Sequence, residues 1–417
     1  MFKNVSLILF LLIAKYSLLT NFVFAQDYFL ADREPGKKAW PLHIIHNSPD
    51  GPDGVKKIDA NGDGFLDIVT PWEQGGFVKI HLHPTLEDSA ALKENWPFVI
   101  VGEKLTNPED AIFVDLDRDG AIDVVSSTEE GSIFIHWAPK NPSDYLVSSS
   151  WKTELLFKYP RPILHSASLQ IDNINGDDLV FGSKDGHLFW MSAPAQPRLV
   201  KNWKFHTINK QFNDAWPMSL LWVDVDADGN KDLLVTLRKG DSNIVGWLRQ
   251  PKSLSAKMLP WRMNIVYRFD DEPQFSDFSF TKYTKNLQLV VPTRDKKEIH
   301  LFEKMTGSSN KWLHEIIRLP QHSPYFSAFK AAKFGNLDHE DDLEIVLTTV
   351  NSGETDQHGI FYLKKIEGSW IPIALTGVQP TKYDLVELID VDEDGDLDII
   401  ACEEINLNAL FWLENTN

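Results

Sequence analysis

The chain is built from short apolar runs rather than from long amphipathic stretches. Runs such as "DIVTPW" and "DLLVTL" are followed after a turn by a second β-prone run, as in "FVKIHLHP" and "NIVGWLRQP". Runs of about four to eight residues rich in Val, Ile and aromatic residues, bounded by turn residues, are typical of strands. Few segments have the periodicity of a helix. The pattern therefore predicts an all-β protein.

An acidic loop precedes such a pair of runs several times along the chain. In "DVDEDGDLD", Asp390–Asp398, carboxylates occupy positions one, three, five and nine, and Gly395 lies at the turn. Oxygen ligands at this spacing suit Ca²⁺, and the β-prone flanks exclude the helices of an EF-hand. The sequence predicts about four structural Ca²⁺ sites. Their ligands would be Asp59, Asn61, Asp63, Asp67, Asp115, Asp117, Asp119, Asp123, Asp224, Asp226, Asp228, Asp232, Asp390, Asp392, Asp394 and Asp398.

The acidic loops belong to an internal repeat. Degraded copies, "QIDNINGDD", "FTKYTKNLQ" and "NLDHEDDLE", lie between the acidic ones, so loops start at 59, 115, 170, 224, 280, 336 and 390. A Trp opens a β-like run in every unit: Trp40, Trp96, Trp151, Trp203, Trp261, Trp312 and Trp370. A fixed period in this range indicates a propeller or a solenoid. Four strands in each unit predict a seven-bladed β-propeller.

The register of the repeat predicts how the ring closes. The chain ends at "ALFWLEN", the third strand of the seventh unit, whereas "WPLHII" at Trp40 has no partner in the first unit. We therefore expect the N-terminal strand to become the outer strand of blade seven, which removes an exposed sheet edge. Residues 26–417 would then form one propeller domain.

The N-terminal segment, the cysteine content and the net charge indicate the compartment and the partners of this domain. The first 25 residues, with an apolar stretch and Val23 and Ala25 before a cleavage point, are typical of a signal peptide. We expect a monomer exported to the periplasm or the medium, without a membrane anchor after cleavage. Cys402 is the only cysteine, which excludes an intrachain disulfide. Bound Ca²⁺ would then stabilise the exported fold in place of disulfides. The net charge of −19 argues against nucleic acid as a partner.

The repeats resemble the FG-GAP or VCBS repeats of integrin-like propellers. The segments "DGVKKIDANGDGFLDIVTPWEQGG", "EDAIFVDLDRDGAIDVVSS" and "YDLVELIDVDEDGDLDIIACEE" are similar to those of exported bacterial seven-bladed propellers. Some relatives of this build are carbohydrate-active, including ulvan oligosaccharide dehydratases and propeller ulvan lyases. The resemblance implies that the acidic loops lie on the bottom face and that ligands bind at the opposite end of the axis, here called the mouth. Fold alone does not fix the chemistry.

Two sequence offsets locate the residues expected at the mouth. The residues fourteen positions after each loop start are Glu73, Glu129, Lys184, Arg238, Arg294, Val350 and Glu404. The residues six positions before each loop start are Asp53, Glu109, Leu164, Met218, Gln274, Lys330 and Asp384. The first series is basic in blades three to five, and both series are acidic in blades seven, one and two, so together they predict a bipolar mouth. The alternative is a set of solvated turn charges.

A bipolar mouth without a nucleophile motif favours β-elimination on a uronic acid in an anionic oligosaccharide. A cation would neutralise the uronate, and a His or Tyr would take the C5 proton. The predicted catalytic residues are Arg238, His165, Arg294, Tyr383 and Lys184, and the predicted substrate contacts are Glu73, Glu129, Lys330, Trp72 and Trp216. Loss of the free C4 hydroxyl of a chain end makes a dehydratase, and loss of a sugar makes a polysaccharide lyase. A non-catalytic calcium-dependent glycan-binding or adhesion propeller remains the third alternative.

Overall fold

A computed structural model describes most of the chain. The described residues are 39–85, 89–240, 242–281, 285–305, 311–319, 327–340, 342–351, 358–376 and 381–416. The predicted signal peptide lies outside these residues. In the described part, no helix is long and apolar enough to cross a membrane.

The strands, numbered in chain order, occupy four positions in each repeat. The innermost strands are β2 (Lys56–Ile58), β6 (Pro108–Val114), β10 (Ile163–Leu169), β14 (Trp216–Val223), β18 (Asp277–Phe280), β22 (Ala328–Gly335) and β26 (Thr381–Ile389). The second strands are β3 (Asp67–Trp72), β7 (Asp123–Thr128), β11 (Asp178–Ser183), β15 (Asp232–Arg238), β19 (Leu287–Pro292), β23 (Glu344–Asn351) and β27 (Asp398–Glu403).

The outer half of each repeat follows the same order. The third strands are β4 (Phe77–His81), β8 (Ser132–Trp137), β12 (Leu188–Ser192), β16 (Ile244–Arg249), β20 (Glu298–Lys304), β24 (Ile360–Ile366) and β28 (Ala409–Leu413). The outer strands are β5 (Phe98–Gly102), β9 (Lys152–Lys158), β13 (Lys204–Asn209), β17 (Arg262–Arg268), β21 (Trp312–Arg318), β25 (Ser369–Ala374) and β1 (Leu42–Asn47). The described helices are short: α1 (Ser89–Leu92), α2 (Leu254–Lys257) and the 3-10 turns Pro142–Asp144, Ser148–Ser150 and Val200–Asn202.

The described strands form seven antiparallel four-stranded blades. Blades one to five are separate sheets, and blades six and seven are joined where β23 pairs with β26 at their mouth ends. The predicted all-β fold, a seven-bladed propeller, is therefore confirmed. Five of the second strands, β3, β7, β11, β15 and β27, are buried along their whole length, which explains why the sequence there is mostly apolar.

The ring closes through the N-terminal strand, as predicted. β1 pairs with β28 from Leu42 opposite Leu413 to Asn47 opposite Ala409. Ile45 of β1 is fully buried and packs in the core between blades seven and one. The first and last strands of the described chain therefore share one sheet.

The repeated Trp joins each outer strand to its surroundings. Trp96 and Trp261 are almost completely buried, and each donates its backbone N–H to a carbonyl in the outer strand of the preceding blade, Ile45 or Ile208. Their indole N–H groups donate to carbonyls in the segment just before them. In blades one and four this residue thus joins the start of the outer strand to the preceding blade.

The last carboxylate of each acidic loop ties three strands together at the bottom face. In blade seven, Asp398 accepts N–H groups from Val391 in the loop and from Asn415 after β28, both at 2.8 Å. Asp123 accepts the corresponding N–H groups of Leu116 and Ala138 at 3.1 and 2.8 Å. This position therefore has a structural role in backbone hydrogen bonding, whether or not a cation binds the loop.

Removing β1 tests the closure. A mature protein that begins after Ile45 should aggregate or melt at a lower temperature, because β28 becomes an exposed edge. A matched protein that begins at Ala39 keeps β1 and should behave like the full mature chain. Size-exclusion chromatography and thermal melting compare the two. A monomeric protein with an unchanged melting temperature after loss of β1 would contradict this closure.

Candidate functional site

A small pocket lies on the propeller axis at the mouth. Its lining comes from every blade: Asp53, Gly54, Glu109, Asp110, Leu164, His165, Met218, Arg238, Phe275, Lys330, Asp384 and Leu385. The residues six positions before the loop starts therefore meet here, as the offset predicts. The cavity volume is about 40 Å³, far below the roughly 300–1,000 Å³ of sites that enclose a whole drug-sized ligand. Only one functional group of a ligand fits into it.

Carboxyl groups of blades seven and one form an axial acidic cluster, defined as Asp53, Asp384 and Glu404. One oxygen from each lies within 4.8 Å of the others. Two lysines flank the cluster: the Lys330 ammonium is 2.7 Å from Asp384 Oδ1, and Lys382 forms an ion pair with Glu404 Oε2. Asp384 Oδ2 and Glu404 Oε1 are buried and have no hydrogen-bond partner among the described residues.

Burial and mutual repulsion give the three carboxyl groups of this cluster very different pKa values. Burial and the nearby carboxylate of Asp384 raise the pKa of Asp53 to about 8. Burial, Asp53 and Asp384 together raise the pKa of Glu404 to about 11. Burial alone would raise the pKa of Asp384 too, but Lys330, Glu404 and Lys382 hold it well below the usual range. Asp384 is therefore the ionised member of the cluster.

Blades one and two contribute a second group of acids, which an ammonium already occupies. Glu73, Glu109 and Glu129 each offer an oxygen to one small region. The Lys184 Nζ atom lies 2.8 Å from Glu109 Oε1 and 2.5 Å from Glu129 Oε1. Burial lowers the pKa of Lys184, but the two glutamates outweigh burial and raise it. Lys184 is therefore committed to these acids.

Arg238 is the cation that reaches the pocket without a close carboxylate partner. Its Nη1 atom donates to the neutral side chain of Gln274 at 3.0 Å, and the nearest Glu272 oxygen is 3.6 Å away. Its Nε–H has no hydrogen-bond partner among the described residues. Burial lowers the pKa of this guanidinium, yet an arginine stays protonated in proteins. A buried guanidinium with a spare donor is suited to an anionic ligand group.

His165 lines the same pocket at the start of the inner strand of blade three. Its Nδ1 atom is 3.7 Å from Asp110 Oδ2, and Asp110 also accepts the Ser166 N–H at 2.6 Å. Burial and the charge of Lys56 lower the pKa of His165 to about 4. The imidazole is therefore neutral near pH 7 and can accept a proton.

Trp216 lies beside the pocket with cations around its ring. The Lys239, Lys184 and Arg238 head groups lie 3.3, 4.7 and 5.1 Å from ring centroids of Trp216. The indole is partly exposed and heads β14 opposite Arg238. Arg294, by contrast, does not line the pocket: its side chain is 37% exposed, and Asp295 is 3.7 Å away.

Two predicted site residues are wrong for this structure: Trp72, predicted as a substrate contact, and Tyr383, predicted as a catalytic residue. Trp72 has no exposed surface, because its ring packs in the core under the Lys79 ammonium at 3.8 Å. Tyr383 also has no exposed surface and packs against Phe411. Neither side chain can touch a ligand at the mouth. The offset placed both correctly at the mouth ends of strands, but their side chains point into the sheet packing.

The mouth is therefore less bipolar than the offsets predict. Cations and acids interleave, since Lys184 of blade three binds acids of blade two, and Lys330 of blade six binds Asp384 of blade seven. Sequence reasoning also missed Asp110 and Lys382. Asp110 has the same offset as His165 in the neighbouring repeat, so that signal was present. Lys382 lies at an offset that neither series samples.

Three bottom loops fit a hard divalent cation. In blades two, four and seven, carboxylate oxygens converge within 4.8 Å: Asp115, Asp117 and Asp123; Asp224, Asp226 and Asp232; Asp390, Asp392 and Asp398. Several of these oxygens are buried without a hydrogen-bond partner among the described residues, namely Asp115 Oδ1, Asp117 Oδ1, Asp226 Oδ1, Asp390 Oδ1 and Asp392 Oδ1. Burial raises the pKa of Asp123, Asp232 and Asp398 to about 7. A donor set of this kind suits Ca²⁺.

The outer oxygens of two of these loops bind arginines. Arg198 forms an ion pair with Asp117, and Arg249 Nε lies 2.7 Å from Asp226 Oδ2. Each arginine contacts Oδ2 and leaves Oδ1 facing the loop. The arginines therefore offset part of the charge without filling the oxygen cage.

The remaining loops differ from one another. In blade one, Asp59 accepts backbone N–H groups of Gly62, Asp63 and Gly64, and Asn61 donates to Asp63, so the loop satisfies its own oxygens. In blade three, the Gln170 amide donates to the carbonyls of residues 174, 175 and 176 at 3.2, 3.3 and 2.6 Å. A nitrogen donor there takes the place that a cation would have.

Blade six replaces the cation in a similar way. The Lys364 ammonium lies 2.5 Å from Asp338 Oδ2 and 3.3 Å from Glu340 Oε1. The loop of blade three thus contains a neutral amide donor and the loop of blade six an ammonium group, which explains how these two repeats tolerate loss of the acidic pattern.

Comparisons with known proteins support the fold. No protein-family model matches the chain, and no curated protein matches its sequence. The structure is similar to BBS1N in its complex with ARL6DN, with a TM-score of 0.52, 11% identity, and coverage of 90% of this chain and 97% of that one. It is also similar to the Dos1 propeller, with a TM-score of 0.53, 8% identity, and coverage of 90% and 96%. At these identities the likeness shows a β-propeller fold alone.

Proposed function

We propose that the axial pocket is the active site of an exported carbon–oxygen lyase that acts on uronate oligosaccharides. The observation that carries this proposal is the joint position of Arg238 and His165 in one pocket. Arg238 supplies a buried cation with a spare Nε–H donor, and His165 supplies a neutral base. β-Elimination needs these two groups, because the C5 proton is acidic only when the adjacent carboxylate is neutralised.

Each group would have one role. The uronate carboxylate enters the pocket and binds Arg238, while the sugar ring stays in the mouth above it. His165 takes the proton from C5, the C4–C5 double bond forms, and the C4–O bond breaks. The Lys330 ammonium lines the same pocket and would protonate the departing oxygen. When that oxygen is a free hydroxyl, the products are water and a C4–C5 unsaturated uronate.

The size of the pocket favours the dehydratase over the polysaccharide lyase. A volume of about 40 Å³ admits a carboxylate but not a sugar ring, which suits the end of a chain better than its middle. The non-reducing end of an algal, ulvan-type oligosaccharide is therefore the proposed substrate. The ulvan assignment comes from the resemblance of the repeats, and cleavage of the chain is the alternative reaction.

A non-catalytic glycan-binding propeller is the second candidate. Trp216 favours it, because a partly exposed indole beside cations can bind an anionic sugar without any chemistry. On this alternative, loss of His165 would leave binding and biological role unchanged.

We also propose that Ca²⁺ binds the bottom loops of blades one, two, four and seven. The unpartnered oxygens support three of these sites, and the loop pattern alone supports blade one. Blades three and six need no ion, because Gln170 and Lys364 already occupy their loops. The ions would stabilise the fold and take no part in the reaction.

Turnover of defined oligosaccharides tests the proposed activity. Purified mature protein should produce the ultraviolet absorbance of a C4–C5 unsaturated uronate, with loss of one water measured by mass spectrometry. Arg238→Ala should lower turnover by about 10²-fold or more, the usual scale for one transition-state partner. Arg238→Lys should recover only part, because lysine lacks the planar fork of donors.

His165→Gln should lose turnover while it still binds product. Arg262→Ala, on the exposed face of the outer strand β17, is the matched control and should keep full activity. Full activity of Arg238→Ala would exclude the proposed role of the pocket. Chain cleavage instead of water loss would identify the lyase.

Chelation tests the proposed Ca²⁺ sites. Dialysis against EDTA should lower the melting temperature by several degrees, because a ligand of the native state stabilises it by mass action. Added Ca²⁺ should restore it, and Asp392→Asn should weaken the response. Lys364→Met, in β24 with its ammonium at the loop of blade six, is the control and should leave the response to Ca²⁺ intact. A melting temperature that EDTA does not change would contradict the calcium assignment.

A further inference from the structure

We propose that the axial acidic cluster is a binding site for one divalent cation, separate from the bottom loops. This inference does not depend on the proposed reaction. Asp53, Asp384 and Glu404 each direct one oxygen into a region in which the oxygens lie within 4.8 Å of one another. The site would take a hard cation such as Mn²⁺, Mg²⁺ or Ca²⁺, because every donor is an oxygen.

Buried oxygens aimed at the same point carry the proposal. The side chains of Asp384 and Glu404 are 3% and 4% exposed. Asp384 Oδ2 and Glu404 Oε1 have no hydrogen-bond partner among the described residues. An unpaired buried carboxylate oxygen is costly unless it is protonated or binds a cation. Two such oxygens in one cluster therefore call for a shared proton or a cation between them, and we infer that a cation can displace the proton.

The flanking lysines do not supply that group. Lys330 binds Asp384 through Oδ1, and Lys382 binds Glu404 through Oε2. Lys382 Nζ is also 3.9 Å from Asp384 Oδ2, which is beyond hydrogen-bond distance. The inner oxygens face the cluster. If cation binding displaces the protons of Asp53 and Glu404, three carboxylates face two ammonium groups, which leaves one negative charge before the cation is counted. A divalent cation would turn that into one positive charge at the mouth.

The other acidic group at the mouth provides an internal comparison. Glu73, Glu109 and Glu129 form a similar triad, but Lys184 Nζ lies 2.8 and 2.5 Å from the oxygens of two of them. There the ammonium stands where a cation would bind, and in the described structure no buried oxygen of these glutamates lacks a hydrogen-bond partner. In the glutamate triad, Lys184 neutralises the carboxylates from within the chain. In the axial acidic cluster, the inner oxygens have no such partner.

A hydrogen bond between the backbone of blade one and the Cys402 thiol of blade seven helps to hold the cluster in place. The Gly54 N–H, next to Asp53, donates to Cys402 Sγ at 3.2 Å, and Cys402 is fully buried two residues before Glu404. Asp384 follows directly from the buried Tyr383. The carboxyl groups therefore stand on rigid strand ends, which favours a preformed site over one that a cation must assemble.

Manganese binding tests the site. Mn²⁺ bound per chain is measured by electron paramagnetic resonance of the mature protein after chelation and removal of the chelator. Glu404→Gln should bind one Mn²⁺ fewer than the wild type. Asp392→Asn, in the bottom loop of blade seven, removes a different site, so the double variant should lose both. Asp53→Asn serves if Glu404→Gln melts at a much lower temperature.

Anomalous scattering from Mn²⁺-soaked crystals locates the ion directly. A peak bounded by Asp53, Asp384 and Glu404 is the expected result. If Glu404→Gln and Asp53→Asn bind as much Mn²⁺ as the wild type, and no peak lies at the axis, the proposal is overturned and the two inner oxygens share a proton instead.

Discussion

The convergence of seven inner strands on one axis is the constraint on which the rest of this structure depends. Residues that are about 55 positions apart in the chain, at the period of the repeat, become neighbours there. Every blade contributes to a pocket of only about 40 Å³. Side chains at the starts of the inner strands lie close together, so each charge must be balanced by an opposite charge within the site.

The pairing of charges across blades follows from this crowding. Lys184 bridges to the acids of blade two, and Lys330 to Asp384 of blade seven. Repulsion and burial keep Asp53 and Glu404 from ionising freely, with pKa values raised to about 8 and about 11. Arg238 is the exception, because its near partner is the neutral Gln274. The proposed function rests on that difference between cations that already bind carboxylates and one whose close partner is neutral.

The fold was predictable because the same sequence pattern recurs seven times, although any single copy could fit several structures. A single acidic turn could be a surface loop, but seven loops at one period, each with a Trp at the start of a later strand, leave few architectures. The closure by β1 followed from a missing fourth strand in the last repeat and an unpaired strand before the first repeat. The same period predicted which residues meet on the axis, including Asp53, Glu109 and Asp384.

The site itself was less predictable, since an offset fixes a backbone position but not a side-chain direction. Trp72 and Tyr383 stand at mouth ends of strands, yet their rings pack inward. Lys184 has the predicted position and charge, but its partners come from a neighbouring blade. Pairings of this kind depend on distances between blades, which the period does not encode. The cation substitutes Gln170 and Lys364 were likewise invisible to the motif.

The central claim is that the carboxylate of an anionic sugar enters the axial pocket and binds Arg238. A crystal structure of the His165→Gln protein with an intact uronate oligosaccharide tests it most directly, because that variant should bind without turnover. The account predicts the terminal carboxylate within hydrogen-bond distance of Arg238 Nε, with C5 facing position 165. A ligand that lies only across Trp216 on the rim, with the axial pocket empty, would contradict it.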